Sequence, residues 1–320
     1  MSSPSPRRCA MAAEIIDGKG IAQQIRRKIE GEVRSLRERG VIPGLAVVFV
    51  GENPASASYV RGKERACAEV GIETETLRFA DTISEGDLIE EIRRLNQDPS
   101  FHGILVQLPL PGHIDSGSVA EAVACEKDVD GLHPVNVGKL CLGQPTFVPG
   151  TPRGICELLA HVGVDPEGKH AVIAGRSNIV GRPLAILLSR KARGANATVT
   201  VCHSRTADLP SHTRQADILV AAMGQPEKIV GSMIKPDAVV IDVGVNRVAD
   251  SSKKRGYRLG GDVHFESARE VASYITPVPG GVGPMTIAML LRNTVDAAAG
   301  RIGRSMSEAG IHGPEAESCS

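Results

Sequence analysis

The first third of the chain alternates between two hydrophobic periods. From Gly18 to Arg39, Ile21, Ile25, Ile29, Val33 and Leu36 recur at three- and four-residue steps, which predicts an amphipathic helix closed by Gly40. Gly44 to Val50 is a continuous apolar run, the pattern of a parallel strand buried on both faces. A second helix is predicted at about 54–70, a strand over Thr74–Phe79, a helix over Leu88–Leu95 and a buried strand over Gly103–Gln107. A short helix at 118–124 follows. Strands that alternate with helices, without hairpin signals, predict an open α/β layer.

The theme restarts after a Pro- and Gly-rich stretch at 143–154. A helix at 152–161 leads to the strand Ala171–Ala174, a glycine turn, the helix Arg182–Arg190 and the strands Thr198–Cys202, Ile218–Ala222 and Ala238–Asp242. This second block has Rossmann-like spacing. A final helix is expected at about 285–299, after the loop Pro279–Pro284. The expected organisation is a tail at 1–12, an α/β domain at 13–150, a Rossmann-like domain at 151–284 and a tail at 303–320. Both tails are polar and small-residue-rich, a composition that does not bury a core.

Composition narrows the function classes. Lys+Arg and Asp+Glu both count 37, so the net charge is zero, which argues against bulk electrostatic binding of nucleic acid. Aromatics are only 2%, too few for a base-stacking surface. No apolar run reaches the roughly 18 residues of a membrane span. The opening residues have arginines but no apolar stretch, so no secretory signal is expected. The 7 cysteines form no CxxC pair, which leaves a zinc ribbon unsupported and fits a reducing cytoplasm. The 9 histidines show no zinc-type spacing, and no metal site is expected.

Several positions carry candidate chemistry. The turn Gly175-Arg176-Ser177-Asn178-Ile179-Val180-Gly181 departs from GxGxxG but sits between a buried strand and a helix, where unpaired N–H groups favour a pyrophosphate. An ordinary strand-to-helix turn explains it as simply. The next strand ends at Cys202-His203-Ser204-Arg205 with no carboxylate to hold a ribose 2′-hydroxyl. Arg176, Ser204 and Arg205 suit a 2′-phosphate instead, so a bound dinucleotide would be NADP rather than NAD. Tyr59 and Lys63 stand four residues apart on one face of the second helix, which Asn53 and Pro54 open as N-cap and first residue. They could stack a flat substrate and move a proton, but a lysine stem lying along a packed tyrosine is the simpler account of the spacing. Gln107 is the polar end of an apolar strand, and Asp128-Val129-Asp130-Gly131 places two carboxylates on one loop. That loop lacks the further ligands of an EF-hand. Gly163 to His170 only imitates a P-loop: it has His where Ser or Thr should stand, and helix-then-strand order.

Together these segments resemble one family, the bifunctional methylenetetrahydrofolate dehydrogenase/methenyltetrahydrofolate cyclohydrolases. The resemblance is carried by VGENPASASYV (50–60) with Lys63, GILVQLPLP (103–111), KDVDG (127–131), GRSNIVGRP (175–183) and TPVPGGVGPMT (276–286), in family order from about 13 to 300. It implies two α/β domains flanking a cleft, with the helix at 285–300 returning to the first. It implies oxidation of 5,10-methylenetetrahydrofolate with NADP, then hydrolysis to 10-formyltetrahydrofolate, within one-carbon metabolism and purine biosynthesis. By motif position, Lys63 is the catalytic amine, Gln107 positions it, Tyr59 stacks the folate and Asp130 binds the pterin edge. Gly175, Arg176, Ser177, Ser204 and Arg205 would bind NADP. Val245 would touch its adenine side, and Gly280 and Gly281 would let backbone approach nicotinamide and folate. The implied partners are tetrahydrofolate derivatives and a second copy of the chain, with neither nucleic acid nor membrane. The basic stretch 189–195 is longer than expected for the family and suggests an extended helix or a segment near the cofactor. A non-catalytic NADP-sensing protein on the same fold would be expected to lose Lys63, Gln107 or Asp130, and all three are present.

Overall fold

The computed structural model describes residues 12–253 and 256–301; the tails expected at 1–12 and 303–320 fall, but for residue 12, outside the described residues. The chain runs β1 (Glu14–Ile15), α1 (Gly18–Glu38), β2 (Gly44–Val50), α2 (Pro54–Val70), β3 (Glu73–Phe79), α3 (Glu85–Gln97), β4 (Gly103–Val106), α4 (Ser116–Ala122) and α5 (Pro134–Cys141). It continues with α6 (Gly150–His161), β5 (His170–Ala174), α7 (Gly181–Ser189), β6 (Thr198–Cys202), α8 (Leu209–Thr213), β7 (Ile218–Ala221) and β8 (Val239–Asp242). Last come β9 (Asn246–Ala249), β10 (Tyr257–Gly260), α9 (Phe265–Arg269), β11 (Tyr274–Ile275) and α10 (Val282–Ala298). Among the described residues two compact units form: one takes Gly20–Gly154 and 285–301, the other 12–19 and Ile155–Pro284.

The first unit is built on a three-stranded sheet in the order β3-β2-β4, with both pairings parallel. Central β2 is buried at every position, which is why its sequence is continuously apolar rather than alternating. Its side chains still alternate between faces. Leu45, Val47 and Phe49 join one core with Ile29, Val33 and Leu36 of α1, Val60, Ala66 and Val70 of α2, and Leu290, Leu291 and Val295 of α10. Ala46, Val48 and Val50 join another with Leu88, Ile92 and Leu95 of α3 and Val119 of α4. The last helix therefore completes the first core, as expected. Polar bonds fix it there: Asn293 donates to the carbonyls of Val129 and Val148 at 2.8 and 2.9 Å, and Arg292 pairs with Glu32 at 2.6 Å. The α3 helix starts before the predicted Leu88 because Ser84 caps it, its Oγ accepting the Asp87 N–H at 3.1 Å, with Glu85 and Asp87 favouring the positive helix end.

The second unit holds a six-stranded sheet in the order β1-β11-β8-β7-β5-β6, parallel throughout. The chain leaves β5 for β6 on one side, then returns to β7 on the other. That reversal is a topological switch point, where open α/β sheets bind ligands outside the carboxyl ends of the strands.

Three differences from the sequence expectation have physical causes. The domain placed at 13–150 does not include its first residues: β1 pairs Glu14 with Tyr274 and Ile15 with Ile275, in the second unit's sheet. Two residues are too short a run to show any period. The helices α5, α8 and α9 and the antiparallel β9–β10 hairpin escaped notice for the same reason. Third, the basic stretch neither extends α7, which ends at Ser189, nor lies near the glycine turn. The Gly168 N–H donates to the Asn196 carbonyl at 3.2 Å and the Thr198 N–H to the Lys169 carbonyl at 2.9 Å, so the stretch sits at the amino edge of the sheet. There Arg190, Lys191 and Arg193 follow the negative end of α7.

Candidate active site and nucleotide turn

In the first unit, α2 begins where Asn53 Oδ1 accepts the Ser56 N–H at 3.2 Å. Val60, Ala66, Cys67 and Val70 bury one face of this helix. Tyr59 and Lys63 fall on the same stripe as Ala66 and Val70. Tyr59 is 46% exposed, so it is not the packed tyrosine that the simpler reading of the spacing required. Nor does Lys63 reach for solvent. Its Nζ donates to Gln107 Oε1 at 2.9 Å, while Gln107 Nε2 donates to the Leu108 carbonyl at 2.6 Å. The second bond turns the amide so that its oxygen faces the amine. Gln107 stands just past β4, and its own N–H continues the ladder by donating to the Val48 carbonyl at 2.9 Å. Strand end and helix face thus bring Lys63 and Gln107 together across 44 residues of sequence.

Asp130 is electrostatically coupled to the same amine. Both side chains are half-buried. Burial pushes the Lys63 amine below the ordinary lysine range, and attraction to Asp130 only partly opposes it. Burial likewise pushes the Asp130 carboxyl up; Lys63 opposes the rise and Asp128 adds to it. Desolvation thus draws both toward their neutral forms, which makes the amine a better proton acceptor than an ordinary lysine.

The loop carrying Asp130 is held from behind. Asp128, buried, accepts the His133 N–H and the Asn136 amide, both at 2.8 Å, and Thr146 donates to Asn136 Oδ1 at 2.8 Å. Lys127 donates to the Asp98 carbonyl at 2.6 Å. Asp128 is thus a brace inside the loop, with Asn136 and Asn293 as further braces that sequence patterns did not flag. Single buried amides leave no periodic signal.

In the second unit, the turn after β5 has a steric cause. Gly175 sits at φ +149°, and a Cβ there would meet the Ala222 carbonyl oxygen at 2.2 Å. At Gly181, where α7 begins, a Cβ would meet the Gly175 oxygen at 2.1 Å. Glycine is needed at the first position for the turn beside β7 and at the second for close approach of helix to strand. The departure from GxGxxG leaves both functions intact. Between them Arg176, Ser177, Asn178 and Ile179 are exposed, and Ser177 Oγ accepts the Val180 N–H at 3.2 Å. On the neighbouring strand end, Ser204 and Arg205 are exposed in a turn closed by the Thr206 N–H to the His203 carbonyl at 2.8 Å. Because the Gly175 N–H donates to the Cys202 carbonyl at 2.9 Å, the two turns are adjacent. Val245, 46% exposed, follows β8 at the same edge. Gly280, at φ +115°, and Gly281 form a separate turn; a Cβ on Gly281 would meet the Pro277 oxygen at 2.7 Å, and one on Gly18 the Gly281 oxygen at 2.0 Å.

A depression of about 700 Å³ in this unit lies elsewhere, lined by Lys169, Asp217, Lys235 and Tyr274 at the amino ends of the strands. It contains none of the expected residues, and ligands of parallel sheets bind at the other edge. Among the described residues no cluster of His, Cys, Asp or Glu could hold a metal ion, and no helix is long and apolar enough to cross a membrane.

Two parallel α/β units, one with a lysine–amide pair linked to a carboxylate and one with a dinucleotide-type switch point, define the class of two-domain α/β enzymes that act on a small substrate with a nucleotide cofactor. The comparisons narrow this. Residues 16–130 match the family described as tetrahydrofolate dehydrogenase/cyclohydrolase, catalytic domain, and residues 149–302 its NAD(P)-binding domain. The chain belongs to the tetrahydrofolate dehydrogenase/cyclohydrolase family. It is 58% identical to the bifunctional protein FolD of Moorella thermoacetica over 90% of this chain and 99% of that one. It is 55% identical to bifunctional protein FolD 2 of Arabidopsis thaliana over 89% and 95%. Among solved structures, it is similar to the FolD methylenetetrahydrofolate dehydrogenase/cyclohydrolase of Campylobacter jejuni, with 46% identity and a TM-score of 0.86 over 91% of this chain and all of the other. It also resembles the Trypanosoma brucei FolD complexed with NADP cofactor and an inhibitor, with 43% identity and a TM-score of 0.86 over 90% and 98%.

Proposed function

We propose that this chain oxidises 5,10-methylenetetrahydrofolate to the methenyl cation with NADP and then hydrolyses that cation to 10-formyltetrahydrofolate. The observation that carries the reading is the 2.9 Å bond from Lys63 to an oriented Gln107 beside Asp130. The methenyl substrate is already cationic, so attack by water needs a proton acceptor and then a donor at the departing ring nitrogen. Lys63, held toward its neutral form by burial, can accept the first proton and return one. Gln107 Oε1 fixes the direction of the amine in either state. Asp130 can accept paired N–H bonds from the pterin edge, and the open face of Tyr59 can stack it. The dinucleotide supplies a hydride acceptor when bound. Gly175, Ser177 and the adjacent exposed Arg176, Ser204 and Arg205 fit its phosphates, since the turn admits no side chain at Gly175 and offers cations without a carboxylate. Val245 would meet the adenine side, and Gly280 and Gly281 would allow close backbone approach. One assay following NADPH and methenyltetrahydrofolate absorbance together tests the reading: both should rise, with the methenyl signal then decaying. Absence of NADPH production would defeat it.

Two outcomes follow here. Arg176→Ala should raise the KM for NADP about tenfold while leaving that for NAD nearly unchanged, because one charge-assisted phosphate contact contributes about 1.5–3 kcal/mol. Equal losses with both cofactors would remove the 2′-phosphate argument. The hydrolysis step should gain rate with rising pH along a limb set by Lys63. The neutral amine is the active base, and its lowered pKa places that limb below the ordinary lysine value of about 10.4. A kcat/KM profile flat across that limb would contradict the assignment. On the family resemblance we also read the chain as a homodimer. The free state of Cys67, Cys125, Cys141, Cys156 and Cys202 supports a cytoplasmic setting.

A further inference from the structure

Two buried carboxylates in the second unit take no part in the chemistry above. Asp262, fully buried just after β10, accepts N–H bonds from Met223 at 2.5 Å and Gly224 at 2.9 Å on one oxygen. Its other oxygen accepts from Gln225 at 2.8 Å and from the Asn246 amide at 2.9 Å. Asp242, at the end of β8, accepts from the backbone of Gly244 at 3.0 Å and of Asp262 and Val263, both at 2.9 Å. Burial pushes Asp242 up to about 7, against the pull of these donors. The backbone is shaped to the pair: a Cβ on Gly244 would meet Asp262 Oδ1 at 2.4 Å, and one on Gly261 would meet Asp242 Oδ2 at 1.7 Å.

The segments they gather are those that flank the switch point. Met223 follows Ala222, whose carbonyl oxygen is the atom that excludes a side chain from Gly175. Val245 lies between Gly244 and Asn246, one at each carboxylate. We propose that Asp262 is a positioning residue for the dinucleotide. Its carboxylate, tied by four N–H donors, sets the loops after β7 and β8 so that the wall beside Gly175 and the backbone at Val245 take the shape the cofactor needs. With every contact a donor, the charge is spent inside the loop rather than facing the phosphates. This rests on the reading that NADP occupies the switch point.

The test uses the full-length protein and NADP itself. Hydrolysis of supplied methenyltetrahydrofolate needs no dinucleotide, so it serves as an internal measure of folding and of the Lys63 site. Asp262→Asn retains volume but sets an amide against an N–H donor. It should raise the KM and Kd for NADP at least tenfold, with hydrolysis within twofold of wild type. Asn246→Ala removes one of the four bonds and should raise the NADP KM about threefold, again sparing hydrolysis. If Asp262→Asn leaves NADP affinity unchanged, or if hydrolysis falls in step with NADP affinity in both variants, the residue is a structural brace only and the proposal fails. If the wild-type protein itself binds no NADP, the cofactor reading fails instead.

Discussion

Lys63→Met should stop hydrolysis of methenyltetrahydrofolate while the protein stays folded, and methenyltetrahydrofolate should accumulate if any dehydrogenase turnover survives. Met keeps the length and apolar stem that lie along α2 but removes the amine that bonds Gln107. General acid–base steps are worth about 10² to 10⁴ in rate, and nothing else among Tyr59, Gln107 and Asp130 offers a basic nitrogen. Lys63→Arg should fail as well, since guanidinium stays protonated at neutral pH. The decay of methenyl absorbance measures both variants. Near-normal decay in the Met variant would return Lys63 to the status of a packing residue.

The second large effect concerns stability. Arg153 is buried, donates to Asn293 Oδ1 at 2.7 Å and lies 3.6 Å from Asp296. Asn293 in turn holds the carbonyls of Val129 and Val148. Arg153→Met leaves the Asp296 carboxylate with less compensation in a place where burial already raises its pKa. Breaking a buried pair by removing one partner costs about 3–5 kcal/mol. At about 2–4 °C per kcal/mol the unfolding transition should fall by roughly 10 °C. The contact of Arg94 with Glu91 is shorter, at 2.6 Å, but exposed. Arg94→Ala should lower the transition far less, because water already screens that pair. Thermal scans on the two variants make the comparison; similar losses would mean that distance, not burial, governs these pairs.

Much of the fold was legible because its main elements are long and strongly patterned. The buried run of β2, the stripe of α1 and the strand after the 143–154 stretch each announce themselves by period. Short elements do not: β1 has two residues, and α8 and α9 have five each. Their signals are caps and pairing partners hundreds of residues away. Site residues divide in the same manner. Lys63 and Tyr59 share a helix face, so their proximity was visible, but spacing could not say whether the tyrosine was packed or open. The bond between Lys63 and Gln107 depends on how α2 lies over the sheet, which no local pattern encodes. Asp262 carried no signal at all, because a carboxylate spent on backbone donors looks in sequence like any loop aspartate.

The placement of β1 and α10 has a consequence for synthesis. The core around β2 lacks Leu290, Leu291 and Val295 until α10 has been made, although the rest of that unit is finished by Gly154. At roughly 5–20 residues per second, the ribosome takes about 7–30 s to cover that interval. The early half must wait exposed through all of it, with the faces of α1 and α2 that α10 will cover still open to water or to a chaperone. Strand β1 waits longer still, until the chain has reached β11. Each unit completes itself only when its late element, α10 in one and β11 in the other, has been made.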